Sequence, residues 1–179
     1  MLTRHLNRPK AEHALMFLAR ASRGRISYAK AAHLLYVAER NMACQHHSVL
    51  ADMNLLTTRD GLIAAYALTK AREEGLRPED EFAWTGPSEA LDQLSVSDER
   101  ALEAAFMTYG QLELGDIRRQ LKSSCPEWRM PLDPFEEISH REMLMGVGLP
   151  RSEADEVEAI MIEHAGIDRM LDDMPREPA

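Results

Sequence analysis

The chain has 179 residues, 45% of them hydrophobic and 28% charged, with 30 Asp and Glu against 21 Lys and Arg for a net charge of −9. That apolar share excludes intrinsic disorder, and the length supports one folded core. The acidic balance, with a pI near 5.3, disfavours nucleic acid, which is met by a basic face.

Two cysteines, Cys44 and Cys125, cannot build a disulfide framework, and eleven methionines suit a reducing compartment, so the expected location is cytoplasmic. The N-terminal MLTRHLNRPK lacks the apolar core of a secretion signal. No apolar run reaches the roughly 18 residues of a membrane span. A chain neither exported nor anchored is expected.

In chain order, Pro9 stands where a first-turn proline is tolerated, and Ala11, Ala14, Leu15 and Leu18 recur at helical spacing. This predicts a helix ending near SRGR. Ser27 is placed to cap a second helix, HLLYVAER, with the stripe Ala31, Leu34, Leu35, Ala38 and Met42. HHSVLADMNLL has no clear period and reads as a loop or one short strand. TTRD, with Thr57 three residues before Asp60, reads as a capping-box start for a third helix carrying Leu62, Ile63, Tyr66 and Ala67. Gly75, Pro78, Gly86 and Pro87 then punctuate a turn-rich break.

SVSDERALEAAFMTYG predicts a fourth helix, with Ser97 as cap, Leu102, Phe106 and Tyr109 on one face, and Gly110 closing it. Leu114, Ile117, Arg118 and Leu121 suggest a fifth, which CPEWRMPLDP breaks with three prolines. Ser139 with Glu142 predicts a short helix. Ser152 with Asp155 predicts a long one in which Val157, Ile160, Met161, His164 and Ala165 recur, and residues 175–179 read as a frayed tail. No internal repeat or low-complexity tract is visible. The expected fold is all-α, a single compact domain of six or seven helices over residues 1–174 with irregular connecting loops.

Chemistry-bearing patterns are weak. Cys44, His46 and His47, with His33 or Asp52 beside them, lack the second ligand pair that a zinc site wants, so neither a metal nor a cofactor is expected. There is no GxSxG, HExxH, P-loop or GxGxxG pattern, so no catalytic residue is assigned and an enzyme is not expected. Carboxylate pairs such as Glu73–Glu74 and Glu136–Glu137 read as solvated surface. Trp84 and Trp128 lie in turn-rich segments, where a large aromatic either pins a loop or anchors a partner. Met143, Met145, Met161, Met170 and Met174 crowd the C-terminal third, where thioethers suit irregular core gaps or an adaptable binding surface. Arg4, Arg8, Lys10, Arg20, Arg23, Arg25 and Lys30, opposed only by Glu12, give the N-terminal segment a local basic character.

The order LLYVAER, VLADMNLL, RDGLIAAYALTKA, an acidic linker and LSVSDERALEAAFMTYGQLELGDIRRQLKSSCPEWR resembles the Panacea domain, the SocA-like antitoxin family. The match runs over residues 12–130, with a looser helical extension over 131–174, and rests on Leu35, Tyr36, Leu94, Ser97, Asp98, Tyr109, Gly110, Leu112 and Trp128. One place departs: where the family commonly has a Gly-Pro pair, this chain reads TRDGLIAAY, with Gly61 and no proline. The resemblance implies an antitoxin that binds and neutralises a cognate protein toxin encoded nearby. A proteolytic adaptor handing the toxin to an ATP-dependent protease is the alternative within that family. A prophage-associated regulator binding DNA through the basic segment, and a metal-dependent hydrolase at Cys44, His46 and His47, are alternatives of other classes. Tyr36, Trp84, Trp128, Met143 and Met145 are the candidates for touching the partner or supporting the contact surface. A homo-oligomer is left open.

Overall fold

The computed structural model describes residues 5–172. Helix α1, Arg8–Ala21, begins where the Asn7 side chain accepts from the Lys10 backbone N–H at 3.0 Å, with Pro9 in its first turn. It ends in a turn through Arg23 and Gly24, both at positive φ, which leads into strand β1, Arg25–Ser27. Ser27 closes that strand and caps helix α2, Tyr28–His46, its side chain accepting from Lys30 N–H at 3.2 Å.

Thirteen of the nineteen α2 residues are buried, too many for an amphipathic surface helix, so α2 is the central element. Around it pack α1, helix α3 (Ala65–Glu73), helix α4 (Val96–Tyr109), helix α5 (Leu114–Ser124) and helix α6 (His140–Gly146). Leu34, Leu35 and Ala38 are wholly enclosed, and each leucine contributes about 1.5–3 kcal/mol of burial. The buried side chains form one continuous set from Ala11 to Met161. Helix α7, Arg151–Asp172, packs chiefly on α6.

The fold is mainly helical, 58% helix against 10% strand, and its two small sheets correct the all-α expectation. Strands β2 (Leu55–Thr58) and β3 (Gly61–Ala64) form a hairpin in which Thr57 opposes Leu62, and β5 (Phe135–Glu137) pairs antiparallel on the other side of β2. Strand β4 (Glu81–Ala83) pairs with β1, and one 3-10 turn spans Ser88–Ala90.

TTRD therefore does not start a helix. Thr58 Oγ1 accepts from Asp60 N–H and donates to the Gly61 carbonyl, a local turn, and Gly61 at φ +131 holds a conformation no helix contains. Helix α3 begins only at Ala65. The α4 cap is Ser95 and not Ser97: Ser95 Oγ accepts from Asp98 N–H while the Asp98 carboxylate accepts from Ser95 N–H. At α6, Ser139 and Glu142 form the expected capping box. Helix α7 starts at Arg151, a residue ahead of Ser152, and Asp155 reaches across to Arg141 of α6 at 3.1 Å. The expected tail at 175–179, like Arg4 and Met174, lies outside the described residues.

Candidate interaction surface

Tyr36 sits mid-α2 with no exposed surface. Its hydroxyl donates to Glu127 Oε1 at 2.6 Å, and Arg40, one turn on, donates from Nε to the same oxygen at 2.5 Å. The Glu127 carboxylate is completely enclosed, so its charge is matched inside the protein. Burial, followed by the adjacent Glu127 charge, raises the Tyr36 hydroxyl well above its ordinary pKa. Burial pulls the Arg40 guanidinium down, but the bond to Glu127 outweighs it and the net direction is up. The α6 backbone closes over this group: a Cβ on Gly146 would stand 2.6 Å from Glu127 Oε2. The cluster joins α2, the segment after α5, and the end of α6.

Trp128, next to Glu127, is half-buried. Its indole N–H donates to the Thr58 carbonyl at 3.3 Å, and the Lys122 ammonium lies 5.2 Å over its ring while donating to the Arg59 carbonyl. Trp128 thus holds the β2–β3 turn onto α5. Trp84 follows β4. Its backbone N–H donates to the Gly24 carbonyl at 2.9 Å, and its ring lies so close over Gly86 that a Cβ there would come within 2.6 Å. Met143 is fully enclosed on α6, and Met145, two residues on, is 43% exposed. Of the five candidates, Met145 therefore presents the most open side chain, and Tyr36 and Met143 act only through what they support.

The residues weighed for a metal point apart. His33 is buried, with Nδ1 2.7 Å from the Leu62 carbonyl and Arg118 donating to Nε2 at 3.5 Å, and burial lowers its pKa to about 4. The Cys44 thiol faces the Met143 carbonyl and burial raises it to about 11; Cys125 is raised by burial as well, so neither is a thiolate at neutral pH. Asp52 accepts from His5 N–H at 2.8 Å, while His46 and His47 are exposed. Among the described residues no three His, Cys, Asp or Glu side chains converge to hold a metal ion.

Of the six basic side chains of the N-terminal segment among the described residues, three meet carboxylates. Lys10 meets the buried Asp98 at 2.8 Å, Arg8 meets Glu73 at 2.8 Å, and Arg25 meets Glu81 at 3.7 Å. A cleft of 330 Å³ between α1 and α3 is lined by Arg8, Glu12, Tyr66 and Lys70, but Lys70 and the Tyr66 hydroxyl both bind Glu12, at 2.9 Å each. Its charges neutralise one another.

Sequence reasoning missed Arg40 and Glu127, which are 87 positions apart with no local pattern to join them. In the C-terminal third it singled out methionines alone, Met145 and Met170 among them, and missed exposed Leu132, Phe135, Val147 and Ile167. Nine of the thirteen exposed large apolar side chains among the described residues lie between Met130 and Met170, including Leu132 at 93%, so exposed apolar area is concentrated there. Arg129 ties this region together, binding Glu136 at 3.1 Å and Glu142 at 2.7 Å. Met130, Leu132, Phe135, Met145 and Val147 stand open around it in the sequence. Among the described residues, no helix is long and apolar enough to cross a membrane. Comparison with known protein families, curated proteins and solved structures finds no match to this chain.

Proposed function

We propose that this chain is an antitoxin that binds a protein toxin encoded nearby and neutralises it by covering its active face. The observation that carries the reading is the concentration of exposed apolar side chains over residues 130–170 on a chain of net charge −9. Large apolar side chains kept in water over one stretch of the chain are candidate anchors of a protein interface, and the negative field favours a basic partner. The resemblance of residues 12–130 to the Panacea domain supports the same reading. The buried ionisable clusters fit a scaffold role: Tyr36, Arg40 and Glu127 join elements to each other and face no open site.

The adaptor alternative uses the same surface and differs in the fate of the toxin, which would be degraded. The regulator alternative draws less support, because Arg8, Lys10 and Arg25 are already paired with carboxylates. The test is growth rescue: each gene flanking this one is induced alone and together with it. The reading expects one neighbour to arrest growth and this protein to restore it. Harmless neighbours, or arrest that this protein leaves unchanged, would remove the antitoxin assignment.

A further inference from the structure

Helix α7 is 22 residues long, about 33 Å at 1.5 Å per residue, and it carries two seams at alternating three- and four-residue spacing. Ala154, Val157 and Met161 form the inner seam against the fold, with Ala154 and Met161 fully buried. Arg141 of α6 secures this half, its guanidinium on Asp155 at 3.1 Å and its backbone N–H on Glu158 at 3.0 Å. The outer seam reads Glu153, Glu156, Ile160, Glu163, Ile167 and Met170, every one of them exposed. Ile160 and Ile167 are each 47% exposed and Met170 is 69% exposed.

Ile160, Ile167 and Met170 stand at i, i+7 and i+10 on one outward face, a spacing at which apolar anchors of a helix enter a groove or meet another helix. Its charge selects the occupant. The helix holds seven carboxylates against two arginines, and Asp155 and Glu158 are occupied by Arg141, which leaves Glu153, Glu156 and Glu163 on the seam itself. A second copy of this chain would bring three more carboxylates to the same seam and repel it. We infer that the outer face of α7 is a docking helix for an apolar groove on a basic protein, with lysine or arginine of that protein meeting Glu156 and Glu163 while Ile160, Ile167 and Met170 fill the groove. The inference rests on the reading above, the toxin being that partner.

The experiment is photocrosslinking in the native cell with full-length protein. A photoreactive side chain replaces Ile160, Ile167 or, as a control on α4, the 75% exposed Met107. The expected result is a single adduct with one basic protein from positions 160 and 167, none from 107, and a drop of about tenfold or more in Glu156→Lys/Glu163→Lys. The same adduct from 107, an adduct only with a second copy, an adduct indifferent to the charge reversals, or none at all would overturn it. Overexpressing the captured protein alone separates the two readings. If it arrests growth, both stand; if it is harmless, docking stands and the antitoxin reading falls. Conversely, if an Ile160→Ser/Ile167→Ser/Met170→Ser variant with unchanged helicity and melting still rescues growth fully, docking falls and the antitoxin reading stands.

Discussion

Replacing Glu127 with alanine should be among the most destabilising single changes in this protein. The carboxylate has no exposed surface and holds two donors from α2, the Tyr36 hydroxyl at 2.6 Å and the Arg40 guanidinium at 2.5 Å. Removing one member of a buried ion pair costs about 3–5 kcal/mol, because the surviving charge is left without a partner. The Arg40 side chain is 18% exposed and recovers some hydration, which places the expected loss near the lower end, about 3 kcal/mol. For a chain of this length that corresponds to a fall of roughly 6–12 °C in melting temperature. Tyr36→Phe removes one hydrogen bond to a charged group and should cost about 1.5–3 kcal/mol. The assay is urea unfolding followed by circular dichroism on wild type, Glu127→Ala, Arg40→Met and the double variant. The pair should show clear coupling, with the double variant losing much less than the two single losses together. A Glu127→Ala loss below about 1 kcal/mol, or additive losses at an unchanged denaturant slope, would refute the assignment of this cluster as a central tie.

Three further outcomes follow from the same geometry. His33 has its pKa lowered to about 4 in the folded protein, chiefly by burial, against an ordinary 6.5. Between those values the unfolded chain binds more protons, so this contribution, about 3 kcal/mol, is complete above pH 6.5 and is lost as pH falls through 4. His33→Gln should flatten the rise of stability between pH 4 and 6.5, and an unchanged profile would contradict the burial argument. Ser95→Ala should cost about 1–2 kcal/mol through loss of the hydroxyl that accepts from Asp98 N–H and donates to the Asp98 carboxylate, whereas Ser97→Ala, whose hydroxyl touches only Ser95 Oγ, should stay within about 0.5 kcal/mol by thermal melting. Gly61→Ala places a side chain at φ +131 in the β2–β3 turn and should cost about 1–3 kcal/mol, read by hydrogen exchange at the hairpin amides.

The helices that were legible are those whose local signals agree with one another. Pro9, Ser27, and the Ser139–Glu142 box each mark a start that the backbone takes up, and the stripes on α1 and α2 are the buried faces. TTRD misled because Thr57 and Asp60 have capping-box spacing, whereas the turn is closed by Thr58, whose hydroxyl accepts from Asp60 N–H and donates to the Gly61 carbonyl, and the Thr57 hydroxyl donates to the Arg129 carbonyl. The decision came from Gly61, which turns out of helical space, and from β5, a partner strand nearly eighty residues away. On α7 the periodicity was correct but ambiguous, since Met161 and Ile160 belong to adjacent seams and only the position of α6 decides which one faces inward. Arg40 and Glu127 were invisible for a related reason: a loop glutamate after Pro126 looks solvated until the fold encloses it. Surface choice depends on tertiary packing, so Tyr36 and Met143 drew notice as recognisable side chains although both are enclosed.

The most direct test of the central claim mixes this protein, purified, with the purified product of a flanking gene that arrests growth. The account predicts a complex of fixed stoichiometry by size-exclusion chromatography with light scattering, and toxin activity that falls linearly to zero as that ratio is reached. Toxin that elutes alone and keeps its full activity in excess of this protein would contradict neutralisation by binding.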